Sequence, residues 1–549
     1  MTTETAAKPE VFTRKASGLV RVMSPLSAFI YNVLTMGLIF PWTYLWAPGA
    51  LPGGKVVWGI LLAMVIEIPI AFVYVWLSTA LPRSGGDYVF QSRVFGGGVA
   101  FTVVMSGYVI WILQWVALSG WLLSYLGFAP LFLGLGATTG SAAMAGIGLW
   151  FTSSTGVIIT SILNAFVAMM VLISGFKNYV RFQAVMIIGT LTAFFTMLTV
   201  LFMGNPATSM VKIDTFAAAI SGVQNFVQTA TDATVAAGVD LNPPFSLLAT
   251  LLIAPIAWTS LQWATYSAQQ NGEIKSARSF KSQSYIIVGS LIFTGFFLAI
   301  LAVALEKAVG PEFLYIAGAG YWLGIPEALI SGFYLWPNMI AIALSASPFV
   351  VLLIGIGFIL NSHQIVHNCY IGMTRVMVAM SLDRLLPEWI SKVDEKRHTP
   401  VNAHLAYFIA SLPVILVYNL WGAWGGLTLG VTFACGYVFV ITCLAGSLLP
   451  YRAKDVYEAS PGAKYKIGNT PMITVLGAIG FVFGSAMVLM FMFYPQLGLT
   501  SNLAYIVVFA VLAFSAIWYL LAKNAQKAKG INVEYAFKEI PPERSEERR

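Results

Sequence analysis

Residues 24–49 read SPLSAFIYNVLTMGLIFPWTYLWAPG, an apolar run with Asn32, Thr35, Gly37 and Pro41 in its middle. About 20 residues rising 1.5 Å each cross the hydrocarbon of a bilayer, so the run is long enough to span. A lipid-facing helix does not gather polar side chains, Gly and Pro at mid-depth, where every freed backbone group lacks a partner. The reading is a spanning helix broken near its centre. Residues 246–273, SLLATLLIAPIAWTSLQWATYSAQQNGE, repeat the pattern: Pro255 removes a helical hydrogen bond, and Trp258, Thr259, Ser260, Gln262 and Trp263 crowd the turns that follow. Five spans separate the start of one broken helix from the start of the other. That is the spacing of a five-plus-five inverted repeat, a plan of transporters whose site lies at the midplane between broken helices.

The rest of the chain agrees. Its 549 residues are 58% hydrophobic and 9% charged, with a mean hydropathy of +0.81, too little polar surface for a water-soluble globule of this size. Apolar runs of spanning length fall at about 25–46, 56–80, 100–125, 155–175, 182–203, 246–266, 284–305, 348–373, 403–420, 427–449, 472–494 and 503–522. With the N-terminus inside, all but Lys55, Lys212 and Lys307 of the 30 basic residues fall on cytoplasmic segments, as retention of Lys and Arg requires. Both termini are then cytoplasmic, and the net charge of +8 reflects orientation, not nucleic-acid binding. The same rule makes 127–150, 314–335 and 204–245 external, the first two as hairpins or short helices over the bundle. No cleaved signal peptide is read at the N-terminus. The C-terminal tail, ending PPERSEERR, reads as disordered.

Few interior residues carry chemistry. Glu67 sits mid-span, where an ionised carboxylate must be protonated, paired or wet. His363 and His367 share one helical face beside Gln364 and Asn368, but two His without a third ligand do not make a metal site. Cys369, Cys435 and Cys443 read as packing residues, the last two too far apart along one helix for a disulfide. No cofactor, metal or clustered catalytic set is expected, so the chain is not read as an enzyme.

After the eighth span, TRVMVAMSLDRLLPEWISKVDEKRHTPVNA carries Arg375, Ala379, Met380, Asp383, Leu386, Pro387, Thr399, Pro400 and Ala403 in register with a motif of the amino acid, polyamine and organocation (APC) superfamily. Arg384 stands where that family commonly has Gly. LPRSGGDYVFQSRVFG, with Pro82, Arg83, Gly85, Gly86, Tyr88, Arg93 and Gly96, resembles a second motif, and Glu273, Lys275 and Arg278 a third. The chain thus resembles amino acid permeases of that superfamily from about residue 20 to 475.

The resemblance implies a leucine-transporter type fold: a cytoplasmic tail (1–24), a ten-helix inverted-repeat core (25–450), two accessory transmembrane helices (451–523), and a C-terminal cytoplasmic tail (524–549). It implies a substrate site between helices one, three, six, eight and ten. Thr35, Met36, Gly37 and Leu38 match the family's Gly-rich break with one of its two glycines, beside Asn32. Ala257, Trp258, Thr259 and Ser260 occupy the region whose carbonyls take an amine, with Trp258 as aromatic lid or cation-π partner. Gln114 and Trp111, and Cys435 and Tyr437, are further lining candidates. Arg83, Arg93, Glu273, Arg375 and Asp383 form the expected cytoplasmic gate.

The expected function is secondary active transport of an amino acid or similar small amine across the plasma membrane. Without Lys or Arg in any span's core, neutral or cationic substrates are favoured over glutamate or aspartate. Imidazole titrates near neutrality, so coupling is read as protons through His367, with Gln364 and Asn368 beside it and Glu67 as second candidate, or as exchange without an ion. A nucleobase or inorganic-ion carrier, or a non-transporting sensor on the same fold, remains the alternative.

Overall fold

A computed structural model describes residues 18–39, 42–421, 424–497 and 502–538, apart from the side chains of 42–43 and 424–434. The long helices are α1 (Pro25–Met36), α2 (Val56–Ala80), α3 (Gly97–Thr139), α4 (Ser154–Ile173), α5 (Phe176–Met203), α6 (Leu247–Glu273), α7 (Phe280–Trp322), α8 (Pro348–Leu382), α9 (Val401–Leu420), α10 (Trp424–Arg452), α11 (Met472–Phe493) and α12 (Asn502–Ala528). Among the described residues, eleven helices are long and apolar enough to cross a membrane; α1, with 12 residues, is the one of this set that is not.

The bundle is turned inside out relative to a water-soluble protein. On α4, Ile159, Leu163, Phe166, Val167 and Met170 face outward, while Thr160, Ser161, Asn164, Ala165 and Ala168 are buried. That arrangement suits lipid, which solvates apolar side chains and leaves polar ones to find partners inside. Small residues set the close helix contacts: Gly120 of α3 lies on Ser161 of α4, and Gly357 of α8 on Gly189 of α5.

α1 ends where the sequence breaks it. Gly37 takes φ +76°, a left-handed conformation that glycine adopts without a Cβ clash, and a short helix resumes at Trp42–Leu45. The sixth span differs from expectation. It stays helical through Pro255 and Ala257–Ser260 to Leu261, then tightens into 3-10 turns over Gln262–Glu273. Side chains bridge the change: Thr259 Oγ1 donates to the Ile256 carbonyl (2.7 Å), and Gln262 Nε2 to that of Thr259 (3.3 Å).

Other runs exceed their expected lengths. α3 continues through Ala129–Thr139 and folds back as Ala142–Thr152, while α7 continues past a kink at Gly310 and Pro311. Residues 204–245 hold two helices, Pro206–Ser221 and Phe226–Ala236. At the C-terminus, Val533–Lys538 packs back on the bundle, with Phe537 against Gly97. Residues 1–17 and 539–549 lie outside the described part.

Candidate functional site

Three π turns interrupt α3 and α7, at Met105–Ile110, Leu123–Phe128 and Tyr285–Gly289. A π turn loosens the backbone ladder and exposes carbonyls, and such turns concentrate at functional sites. Here buried side chains take those carbonyls. Cys435 Sγ donates to Gly107 O (3.2 Å), Tyr407 OH to Val109 O (3.2 Å), Asn338 Nδ2 to Leu126 O (2.9 Å) and Asn32 Nδ2 to Ile286 O (3.2 Å).

Just beyond the first π turn lies a cavity of about 30 Å³ lined by Thr35, Ile112, Trp115, Trp263, Tyr266, Ile365, Asn368 and Cys369, room for a water or two. It sits where α1 breaks and α6 tightens, against α3 and α8. The rings of Trp115 and Trp263 meet edge to face at 6.1 Å, and those of Trp263 and Tyr266 at 5.2 Å. None of the lining residues is charged.

The polar wall is held by a directional chain of hydrogen bonds. Gln364 Nε2 (2.5 Å) and Tyr179 OH (3.2 Å) donate to Asn368 Oδ1; Asn368 Nδ2 donates to Thr35 Oγ1 (2.6 Å), which donates to the Tyr31 carbonyl (2.6 Å). Chains of this kind polarise one another and fix their members. His367, near Tyr179 at 5.5 Å between ring centroids, donates from Nδ1 to the His363 carbonyl (2.9 Å), while its Nε2 is buried without a partner among the described residues.

Of the residues expected to bind substrate, Thr35 lines the cavity; Asn368, expected for ion coupling, lines it as well. Asn32 instead clasps α1 to α6, giving and taking a bond with Ser267 (3.1 and 2.9 Å). Met36, Gly37 and Leu38 form the break itself, and the Ser260 hydroxyl donates to the Met36 carbonyl, joining the two interrupted spans. Gln114 and Ala257–Ser260 do not line the cavity. Trp258 turns away: its indole Nε1 donates to Glu67 Oε2 at 2.6 Å, leaving Oε1 buried and without a partner among the described residues. Sequence reasoning missed Ile112, Trp115, Trp263, Tyr266, Ile365 and Cys369 as lining residues. Helical spacing was the available signal, since 365, 368 and 369 share a face, as do 263 and 266.

The expected gate residues form two buried clusters. Arg375 grips Glu273 with Nε to Oε2 (2.7 Å) and Nη2 to Oε1 (2.9 Å). Arg93 lies 3.5 Å from Asp383 Oδ2, which also accepts from Tyr88 OH (2.9 Å). Arg83 stays at the start of its turn, donating to Pro82 O (3.2 Å). Asp87, unremarked in the sequence, is fully buried and accepts from Tyr74, Thr442 (2.5 Å) and Gln269 (2.5 Å). Burial raises its carboxyl above the usual range, against the pull of these donors. Arg384 adopts φ +62°, which explains the glycine its motif commonly has there.

These features define a multi-pass membrane protein with a small site between its helices. Residues 24–514 match the sequence model of the amino acid permease family, and the chain belongs to that family, within the APC superfamily. That family is one of transporters by class. The chain is also similar to an uncharacterised protein of Sulfolobus islandicus rod-shaped virus 1, 31% identical over 102 residues. That match covers 17% of this chain and spans about a quarter (26%) of the viral protein.

Proposed function

We propose that the chain is a secondary active transporter moving amino acids or related small amines across the plasma membrane by alternating access, with both termini cytoplasmic. The helices are read as a five-plus-five inverted repeat, α1–α10, followed by α11 and α12. The observation that carries the reading is the small cavity at the α1 break, with polar Thr35 and Asn368 facing Trp115, Trp263 and Tyr266. Such a site suits a small molecule with a polar head and an apolar or cationic body. At about 30 Å³ it is contracted, so substrate entry requires the helices to part. The Arg375–Glu273 and Arg93–Asp383 pairs, with Arg83, are the contacts that would part on the cytoplasmic side. Proton coupling through His367 or Glu67 is supported by buried ring and carboxyl atoms, Nε2 and Oε1, without partners among the described residues.

A thermal-shift panel of amino acids, polyamines, nucleobases and metal ions tests the substrate, because a ligand that binds the folded state raises its melting temperature. The expected result is a shift with one class of amino acid or amine, lost in Asn368→Ala. A response to nucleobases or metal ions alone would overturn the substrate assignment while leaving the family intact.

A further inference from the structure

His404, in the first turn of α9, is completely buried and was not among the expected gate residues. Its Nε2 lies 3.2 Å from Arg375 Nη1. A guanidinium has only donors, so Nε2 accepts and the ring proton sits on Nδ1, which has no partner among the described residues. Arg375 therefore holds three parts of the bundle at once: Glu273 at the end of α6, Thr374 on its own helix (3.2 Å), and His404 on α9.

The ionisable groups around His404 are Arg375, Tyr370 and His367 of α8, with the Tyr370 ring stacked on it at 6.3 Å. Glu273 lies beyond Arg375, Tyr407 on its own helix, Cys435 of α10 beyond Tyr407, and Glu388 in the turn after α8. α4 and the stretch of α3 packed on α9, 112–122, contain no ionisable residue.

We infer that His404 is the proton-responsive positioning residue of the cytoplasmic gate: neutral, it clamps Arg375 onto Glu273; protonated at Nε2, it expels Arg375 and releases the gate. A proton on Nε2 sets N–H against N–H at a 3.2 Å separation, in a buried place with two adjacent positive charges. The contact then has no hydrogen bond and must lengthen. The inference rests on reading Arg375–Glu273 as that gate.

Cys369 lines the cavity and reports on its opening. In full-length purified protein carrying C435A and C443A, alkylation of Cys369 by a small methanethiosulfonate is followed from about pH 8 to about pH 5, a range that carries a hydrated imidazole from neutral to charged, so that a ring freed as the gate parts takes up the proton and holds the gate open. Thiolate reactivity falls with pH, so a rise on acidification is diagnostic. The parent is expected to rise relative to H404Q, whose amide oxygen still accepts from Arg375 but gains no proton, by up to about tenfold per pH unit, the limit for one proton. E273Q should label fast at every pH. A pH rise that persists in H404Q, or no rise in the parent, overturns the role of His404 alone. Slow labelling of E273Q overturns the gate reading itself. Should H404Q fail to fold, H404N serves with the same readout.

Discussion

The Arg375 guanidinium and the Glu273 carboxylate meet through two hydrogen bonds, at 2.7 and 2.9 Å, with neither side chain reaching the surface. Phe176 stacks over the same guanidinium at 4.9 Å. Removing one member of a buried pair strands the other, at about 3–5 kcal/mol, whereas replacing both by apolar groups is often close to neutral. Arg375→Met should therefore destabilise the purified protein by that amount, measured by thermal unfolding. The double variant Arg375→Met, Glu273→Met should recover most of the loss. Recovered stability with gated transport still absent marks the pair as a gate; full transport in the double variant would make it only a brace.

Glu67 has one oxygen on the Trp258 indole and one with no partner among the described residues. Glu67→Gln keeps an acceptor for the indole but has no proton to exchange. In proteoliposomes, if Glu67 carries the coupled proton, substrate counterflow should persist while accumulation driven by an imposed pH gradient is lost. His367→Gln tests the other proton site in the same assay. Gradient-driven uptake unchanged in both variants would remove proton coupling through either group.

The break at Gly37 was legible because helix-breaking chemistry and polar side chains coincide in one apolar run. The change in α6 was placed about two turns early: Pro255 reads as a break, but the lost bond is tolerated, and the tightening begins at Gln262, inside the polar and aromatic run that follows. The gate pairs were legible as motif residues, although their pairing was not, since Glu273 and Arg375 meet only through the tertiary fold. Trp258 and Trp263 look alike in sequence. Which one faces Glu67 and which the cavity depends on helix rotation, and composition does not encode it.

Gly372 leaves room for Tyr266, since a Cβ there would overlap the tyrosine hydroxyl and its ring. Gly372→Ala should push the ring toward the cavity. Overpacking of this kind costs about 1–3 kcal/mol, and substrate binding should weaken because the displaced ring occupies the site. Calorimetry or ligand-induced thermal shift checks this, with unchanged binding showing that Tyr266 can retreat elsewhere.

Ser260 settles how the α1 break is used. Ending a helix at Met36 frees its carbonyl, and the Ser260 hydroxyl from α6 takes it. A buried carbonyl left unpaired costs about 1–3 kcal/mol, so Ser260→Ala should lower the melting temperature of the substrate-free protein. A carbonyl freed at a helix break also suits an ammonium group, and an amine that reached Met36 in the parent would have to compete with Ser260 for it. In Ser260→Ala that competition is gone. Amine-bearing substrates should therefore give a larger thermal shift in the variant than in the parent, even though the variant starts from lower stability. An equal shift would mean that the ammonium is held away from Met36, by the aromatic faces of Trp115, Trp263 and Tyr266, and that Ser260 serves only to tie the two interrupted spans together.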